Sequence, residues 1–313
     1  MTKLENDIIF ISKPQSFEGG EEEYDLSIGG SDRTDLLKCG KGAFRLVSHF
    51  TKRPIQRLAE IGSGGGTCSL GIIEEAKDAE ILLTDTSPDF LRIIQRKLAA
   101  NDFHHTNVKF ATLAGEDLLK LGSSSYDAII IASALHHVSD WKKCIQDARQ
   151  VIAPGGVLVI QEPFKEGNLF MGIALDIMLS SLWPHPIPEN DAIRLRNCRA
   201  SIYEMADSTL EKLGEDKHAF SVLDLIRTGF DANFENIQFY QNQHLEDLSE
   251  GELNERCSSS LVSYFSSFLK FHHNISSETL ATLESSLYPI TSNIEALFKK
   301  GEGLPIMGSI VLC

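Results

Sequence analysis

The chain has 313 residues, of which 42% are hydrophobic and 23% are charged, and its formal net charge at pH 7 is −15. This length suits one large domain or a core with a substantial addition. The acidic charge, which no basic cluster interrupts, argues against a surface that binds nucleic acid and favours a small-molecule partner.

The N-terminus and the cysteines are typical of an intracellular protein. Residues 1–13 are too polar for a signal peptide. The most apolar window, residues 168–183, is shorter than a bilayer span and contains Asp176. The six cysteines form no CxxC pair and have no histidine at ligand spacing, which predicts reduced thiols and no metal site. We therefore expect a cytoplasmic protein without a membrane span.

A helix predicted at residues 31–50 precedes a regular alternation of short apolar runs and helical stretches. The runs are rich in β-branched residues, as buried parallel strands are. Pro88 suits the first turn of a helix, and Pro154 with the two glycines after it ends one. Predicted strands lie at 57–61, 81–84, 108–113, 128–132 and 157–160, and predicted helices at 67–76, 88–101 and 140–152.

After Pro163 the alternation gives way to helical blocks, and strand-like segments resume at 236–240 and 305–312. The pattern predicts a doubly wound, Rossmann-like α/β fold with a seven-stranded sheet, whose helical insertions form a substrate cover. We divide the chain into an N-terminal helical lid (1–56), a core (57–162), a helical insertion (163–217), a core helix and strand (218–243), a second helical insertion (244–303) and a last core strand (304–313).

A glycine-rich run, EIGSGGGT at residues 60–67, follows the first predicted core strand and precedes a helix. A flexible linker has no reason to lie between a strand and a helix of a βαβ unit. The dinucleotide fingerprint GxGxxG fails at its third position, which is Thr67 when the match starts at Gly62 and Ser69 when it starts at Gly64. The run therefore predicts a cofactor turn of another kind.

The run contains the complete pattern (Asp/Glu)-x-Gly-x-Gly-x-Gly. In this it resembles the first motif of the class I S-adenosylmethionine-dependent methyltransferases. The resemblance implies S-adenosyl-L-methionine as cofactor, with the loop passing under its methionine part and the acidic residue supporting the loop or the amino group. The implied contacts at this loop are Glu60, Gly62, Ser63, Gly64 and Gly66.

The ends of the next two strands continue the resemblance. Asp85 matches the family's acidic residue that accepts hydrogen bonds from both ribose hydroxyls, a task that suits an acceptor-only carboxylate. After the third core strand the family usually has Gly-Asp-Ala near the adenine, and Ala114 occupies the usual Asp position here. Glu116, Asp117 or the backbone alone would then meet the adenine. The implied contacts at these two strand ends are Asp85, Thr86, Gly115, Glu116 and Asp117.

Two later segments also match. Residues 126–141, YDAIIIASALHHVSDW, resemble the Leu-His-His segment of the subgroup that includes ubiquinone-type methyltransferases. Residues 153–156, APGG, match the family's Lys-Pro-Gly-Gly turn with Ala in place of Lys. Ser133, at the carboxyl end of the fourth core strand, either contacts a ligand in the crevice or is a turn residue.

Four residues are candidates on the side of the methyl acceptor. His136 and His137 are candidate catalytic bases, since imidazole titrates near neutrality; otherwise they pack against the cofactor or orient a loop. Glu162 is a candidate substrate contact or a loop residue. Tyr24 lies where many small-molecule members of the family place a lid tyrosine, and it is otherwise a surface aromatic.

The resemblance implies methyl transfer by in-line displacement to a small, partly apolar molecule through an oxygen, nitrogen or carbon atom. A base is needed only if the acceptor must lose a proton. The alternative is a protein that binds S-adenosylmethionine but catalyses a rearrangement or cyclisation, or acts as a regulatory partner. A nicotinamide-dependent oxidoreductase is disfavoured by Thr67. Residues 252–300 would complete the cover or form a homodimer interface.

Overall fold

The computed structural model describes residues 8–17, 20–29, 33–51, 53–100, 107–180, 185–206, 219–241, 266, 269–270, 273–295 and 307–313. Its strands form one sheet. They are β1 (Ile9–Phe10), β2 (Arg57–Ile61), β3 (Glu80–Asp85), β4 (Val108–Thr112), β5 (Tyr126–Ala132), β6 (Ile152–Pro163), β7 (Ile237–Gln241) and β8 (Met307–Leu312).

The strands lie in the order β1-β4-β3-β2-β5-β6-β8-β7. The pairs from β1 to β6 are all parallel, and β8 runs antiparallel to both β6 and β7. The chain order reverses between β2 and β5, so the carboxyl ends of β2 and β5 flank the crevice in which open α/β sheets bind ligands. The predicted α/β class is confirmed.

The predicted count of seven strands is wrong by one. The additional strand is β1, whose Ile9 and Phe10 pair with Ala111 and Thr112 of β4 at the edge of the sheet. Both residues are at least half exposed. A two-residue exposed edge strand carries no periodic apolar pattern, so nothing in the sequence marks it.

The helices lie close to their predicted positions where both can be compared. Pro88 begins α4 as expected for a residue that lacks an amide hydrogen, and the Asp140 side chain caps α5 by accepting from the Lys143 amide at 3.0 Å. The helices are α1 (Glu21–Gly29), α2 (Arg33–Thr51), α3 (Thr67–Glu75), α4 (Pro88–Ala100), α5 (Trp141–Val151), α6 (Lys165–Leu179), α7 (Glu189–Ala206), α8 (Val222–Asp231) and α9 (Ser277–Glu295), with 3-10 helices at Gly115–Leu121 and Leu135–His137.

The predicted turn at residues 153–156 lies inside β6. Tyr126 of β5 pairs with Ile152, and Ala128 pairs with Val157, so six residues of β6 oppose three residues of β5. Gly155, with φ +75°, accommodates the bulge that results. Strand β6 therefore begins earlier than the predicted 157–160. The sequence did not reveal this, because a bulge and a turn have the same sequence signature.

Both faces of the sheet are covered, which is why the central strands are apolar throughout. Alternate residues of β5 contribute to opposite core layers: Ile130 packs in the layer of α2, α3 and α4, and Ile129 and Ile131 pack in the layer of α5 and α8. All three are fully buried. Burial of each such side chain contributes about 1.5–3 kcal/mol, so this sandwich holds the strand ends in place.

A third apolar cluster joins the helices that follow β6 to α9, and it contains Met171, Leu175, Leu195, Ile202 and Leu283. Asp191 of α7 ties these helices together, because it accepts hydrogen bonds from Ser276 Oγ at 2.6 Å and Thr279 Oγ1 at 2.7 Å. The predicted helical segments at 207–217 and 244–265 lie outside the described residues. Among the helices of the described ranges, none combines the length and the apolar character that crossing a bilayer requires.

Candidate active site

The glycine run is a tight loop between β2 and α3. Gly62, Gly64 and Gly66 have φ values of +73°, +48° and +87°, a left-handed conformation that side chains rarely adopt. A Cβ atom on Gly62 would lie 2.3 Å from Ala134 Cβ, and one on Gly66 would lie 2.8 Å from Ile94 Cγ1, whereas one on Gly64 would have no atom within 4 Å. The loop is therefore packed against the protein at its two ends and faces open space at its middle.

Asp85, at the carboxyl end of β3, lies directly beside this loop. Its Oδ2 accepts from the Gly64 amide and its Oδ1 from the Ser87 amide, both at 2.9 Å. Burial raises the pKa of Asp85, and the two backbone hydrogen bonds oppose that shift. Each carboxylate oxygen keeps a lone pair beyond the amide it already accepts. The side chain is thus oriented by the loop and still able to accept two hydroxyl donors.

Glu60, at the end of β2, faces into the protein and is 1% exposed. Its carboxylate accepts a hydrogen bond of 2.5 Å from Ser69 Oγ in the first turn of α3. Burial raises the pKa of Glu60 to about 7, although the hydrogen bond from Ser69 opposes the shift. Of the two predicted roles, this position fits support of the loop. Ser63 is also buried and donates its amide to the Thr84 carbonyl at 2.8 Å.

The acidic residues predicted near the adenine already form hydrogen bonds and an ion pair with other residues of the chain. Ser12 Oγ donates to Asp117 Oδ2 at 2.5 Å, and Lys120 lies 2.8 Å from the same carboxylate. Glu116 Oε1 accepts from the Ser139 amide at 2.8 Å. Gly115 is buried, and a Cβ atom there would lie 2.6 Å from Val138 Cγ2. Ser12 was missed from the sequence because it reaches this loop across 105 residues.

The segment before β2 lies over the glycine loop and the end of β3, which we call the donor side of the site because the methyl donor is expected there. Tyr24 is part of this segment. The Tyr24 ring centroid is 4.8 Å from that of Phe17 and 5.7 Å from that of Phe90. Burial raises the pKa of Tyr24, and the nearby charge of Asp85 adds to the shift. This places the predicted lid tyrosine beside the carboxylate that is expected to bind ribose.

Two hydrogen bonds join this segment, the predicted lid, to the end of β3. The Gln15 amide donates to the Thr86 carbonyl at 2.9 Å, and Glu21 Oε1 accepts from Ser87 Oγ at 2.6 Å. The Glu21–Glu23 run looks like a solvated face in the sequence, and Glu22 and Glu23 are indeed exposed. Glu21 instead accepts from the Phe17 amide at 2.9 Å and anchors the start of α1.

Glu162, at the carboxyl end of β6, holds the loop that carries the two histidines. Its Oε1 accepts from the Ala134 amide at 2.9 Å and the Leu135 amide at 2.7 Å, and its Oε2 lies 2.7 Å from His136 Nδ1. No part of Glu162 is exposed. The geometry therefore places this carboxylate beside His136 Nδ1, where it orients the ring, and contact between Glu162 and a substrate stays a prediction.

His136 is partly accessible, with 20% of its side chain exposed, and His137 is exposed. Their ring centroids are 4.1 Å apart. With Nδ1 of His136 on the carboxylate, Nε2 is the nitrogen that remains for proton exchange. Ser133 precedes this loop, is exposed and has φ +51°, an uncommon conformation for a residue other than glycine. The structure thus gathers Ser133, His136 and Glu162 at the ends of β5 and β6.

The groups described at this site form hydrogen bonds through oxygen and nitrogen atoms and are not arranged as a metal cluster. Within the described ranges, no three His, Cys, Asp or Glu side chains are grouped so that they could hold a metal ion. The residues at the ends of β2 and β3 instead offer an open glycine loop and an acceptor-only carboxylate. This set fits a cofactor that carries a ribose, because hydroxyls are donors that a carboxylate takes in pairs.

Comparison with known proteins agrees with this geometry. Residues 59–158 match the sequence profile of a family described as "Methyltransferase domain". A demethylmenaquinone methyltransferase from Thermus thermophilus is 29% identical over 118 residues, which are 38% of this chain and 52% of that protein. A demethylmenaquinone methyltransferase from Clavibacter sepedonicus is 26% identical over 184 residues, which are 58% of this chain and 70% of that protein.

A solved structure of a candidate sarcosine dimethylglycine methyltransferase from Galdieria sulphuraria shares the fold, with a TM-score of 0.50 and 13% sequence identity. The superposition covers 93% of this chain and 96% of that one. The chain spans about half the length of the Thermus thermophilus relative. The family match includes the glycine loop, Asp85 and His136, whereas Tyr24 and Glu162 lie outside it. Over residues 59–158 the chain is therefore similar to methyltransferases, in agreement with its resemblance to the class I S-adenosylmethionine-dependent family.

Proposed function

We propose that the chain transfers the methyl group of S-adenosylmethionine to a small, partly apolar molecule whose acceptor atom loses a proton in the reaction. The observation that carries this proposal is the pair formed by His136 and Glu162, 2.7 Å apart at the carboxyl edge of the sheet. An acceptor that keeps its protons has no use for an oriented imidazole. An acidic carbon or a hydroxyl does.

The donor side supports the cofactor part of the proposal. Asp85 would accept from the two ribose hydroxyls, and the open face of the loop at Gly64 would admit the methionine part. Tyr24 and its aromatic neighbours would exclude water from the ribose side. The cofactor, when bound, supplies a methyl group activated by a sulfonium, so the protein mainly aligns the acceptor with it.

On the acceptor side we assign the base to His136. Its Nδ1 hydrogen bonds to Glu162, which fixes the ring and stabilises the imidazolium once a proton arrives. Nε2 of His136 would take the proton of the acceptor atom as that atom receives the methyl group, which the bound cofactor would supply with its thioether form as the leaving group. Glu162 stays in place throughout, because two backbone amides hold its other oxygen.

Exposed apolar residues support a partly apolar acceptor. Leu169, Ile173 and Ile177 of α6 are 48%, 46% and 40% exposed and follow one another at a spacing of four residues, so they share one face of the helix. Helix α6 starts three residues after Glu162. The methyltransferases from Thermus thermophilus and Clavibacter sepedonicus are named for demethylmenaquinone. We extend from them only the class, a molecule with an acidic proton and an apolar body.

The test has two stages. Calorimetry with S-adenosylmethionine and S-adenosylhomocysteine should show binding to the purified chain, and no binding of either would overturn the proposal. Transfer of labelled methyl is then measured on a panel of quinols, phenols and β-ketoacyl thioesters, with amines as the contrasting class. Transfer to amines alone would contradict the role of the histidine pair. Binding without transfer to any of them would favour the rearrangement, cyclisation or regulatory role.

A further inference from the structure

The glycine loop contains one glycine that the family pattern does not require. Gly62, Gly64 and Gly66 complete the pattern and have left-handed φ values, whereas Gly65 does not have a left-handed φ. A Cβ atom on Gly65 would lie 2.1 Å from Asp25 Oδ1, and its next two neighbours would also be atoms of the Asp25 side chain. A side chain at position 65 would therefore displace the Asp25 carboxylate of α1, whereas the backbone conformation at Gly65 does not call for glycine.

The same carboxylate is paired with Lys97, in the last turn of α4. Lys97 Nζ lies 2.5 Å from Asp25 Oδ1 and also donates to the Gly65 carbonyl at 2.7 Å. The Lys97 and Asp25 side chains are only 17% and 13% exposed. A partly buried, charge-assisted arrangement of this kind is stronger than a surface ion pair. One ammonium group thus joins the lid helix to the carbonyl of the loop.

We propose that Asp25, Gly65 and Lys97 form a latch through which α1 holds the glycine loop in its cofactor-binding conformation. The three are positioning residues, and their effect on cofactor affinity rests on the proposed function. A loop with three left-handed glycines loses much conformational freedom when it is ordered. Fixing the Gly65 carbonyl restrains the neighbouring peptides, whose Gly64 amide donates to Asp85 and whose Gly66 amide donates to the Ser63 carbonyl. With the latch in place, the loop is already ordered before the ligand binds.

The interface between α1 and α4 offers a matched control. Glu22 and Arg96 also pair between these two helices, but their side chains are 64% and 62% exposed. An exposed pair contributes little to stability. Substituting Arg96 and Lys97 separately therefore removes neighbouring cations from one helix, and only Lys97 bonds to a glycine-loop carbonyl.

The first experiment is hydrogen exchange on the cofactor-free chain, and it does not depend on any activity. In Lys97→Met the amides of Gly64 and Gly66 should exchange about tenfold faster than in the wild type, which is the lower range of a lost charge-assisted hydrogen bond. In Arg96→Met they should exchange at the wild-type rate. Equal exchange in the two variants would overturn the latch.

The second experiment is a double-substitution cycle that uses the contact between position 65 and Asp25. Gly65→Ala should weaken S-adenosylhomocysteine binding about tenfold by displacing the carboxylate, and Asp25→Ala should do the same by removing it. The double variant should bind no worse than Asp25→Ala, because the new methyl then has room. Losses that multiply would contradict the proposal. Unfolding midpoints are recorded in parallel, and a loss of affinity that merely follows stability would also contradict it.

The two experiments separate the latch from the function it serves. If the wild-type chain binds no S-adenosylhomocysteine, the proposed function fails, and hydrogen exchange in Lys97→Met still decides whether the latch orders the loop. If the wild type binds and Lys97→Met binds equally well with unchanged exchange, the latch fails and the proposed function stands.

Discussion

The two sides of the site use buried carboxylates differently. At the end of β3, Asp85 accepts hydrogen bonds from two backbone amides of adjoining loops. At the end of β6, Glu162 also bonds to two backbone amides, but its second oxygen bonds to His136. The hydrogen bonds of Asp85 fix the conformation of the adjoining loops. Those of Glu162 fix the conformation of the histidine loop and also orient an imidazole that can exchange a proton.

This difference indicates which property each side of the site should control, cofactor affinity or turnover. Changes at the glycine loop and Asp85 should alter cofactor affinity, because these are the groups proposed to bind S-adenosylmethionine. Changes on the acceptor side should alter turnover and leave cofactor affinity unchanged. Single substitutions on each side can therefore test this division between affinity and turnover.

The largest expected effect is on the acceptor side. His136→Gln should reduce methyl transfer about 10³-fold, within the range that general bases contribute. Its affinity for S-adenosylmethionine should stay within about twofold of the wild type, because the ring is not part of the donor side. Single-turnover transfer to an acceptor from the panel and calorimetry measure the two quantities.

His137→Gln is the matched control for His136→Gln, since it removes the adjacent imidazole at a ring separation of 4.1 Å. It should retain most of the activity, because the Nδ1 contact with Glu162 belongs to His136. A larger loss in the His137 variant would reverse the assignment of the base. Loss of cofactor binding in the His136 variant would remove the division between the two sides.

The next effect in size is on the donor side. Asp85→Asn replaces a carboxylate with an amide that accepts through one oxygen only, so one loop amide and one ribose hydroxyl lose their acceptor. We expect S-adenosylhomocysteine to bind about 100-fold more weakly, as for the loss of two hydrogen bonds to a charged group. Glu80→Gln, at the opposite end of β3, is the control and should bind normally. Equal affinities of the two variants would contradict the assignment of Asp85.

The sequence was informative where a function depends on neighbours in the chain. Asp85 follows an apolar run and Gly62 precedes a helix, so both positions could be predicted from strand ends alone. The five core strands were predicted because parallel strands with covered faces are continuous apolar runs. The right-handed connections then place their carboxyl ends at one edge.

Prediction failed where a contact joins distant segments. Ser12 reaches Asp117, 105 residues away, and Asp25 reaches Lys97, 72 residues away. Neither contact has a periodic pattern, and the charged residues involved resemble ordinary surface residues. Glu162 shows the same limit: its place at a strand end was predictable, but its bonds to the backbone of the histidine loop arise only from the pairing of β5 with β6.

A further effect, on stability and not on affinity, concerns the buried carboxyl group of Glu60. Burial raises the pKa of Glu60 from 4.5 to about 7. The folded state therefore binds this proton more tightly than the unfolded state does, and the free energy of unfolding decreases as the pH rises between about 4.5 and 7. The total change is on the order of 3 kcal/mol. Relative to Glu60→Gln, the wild type should become less stable across this window in urea unfolding.

Glu80→Gln provides a control of opposite sign for Glu60→Gln. The hydrogen bond from Lys109 lowers the pKa of Glu80, so the stability from this carboxylate is present above its unfolded pKa and is lost as the pH falls. The wild type should thus gain stability relative to Glu80→Gln as the pH rises. A stability difference between wild type and Glu60→Gln that does not change with pH would show that folding does not raise the pKa of Glu60.

The smallest effect is expected at the amino end of the sheet, away from both sides of the site. Asp127 Oδ2 accepts from the Gln56 amide at 2.8 Å and the Arg57 amide at 3.0 Å, and its Oδ1 pairs with Arg53 at 2.6 Å. Asp127→Asn should lower the free energy of unfolding by about 1 kcal/mol, since an amide oxygen replaces a charged acceptor. Its affinity for S-adenosylhomocysteine should be unchanged, because ligands bind at the carboxyl ends of the strands. A thermal melt and calorimetry test both statements, and weaker binding in this variant would mean that the site depends on the whole sheet and not on its two carboxyl-end loops.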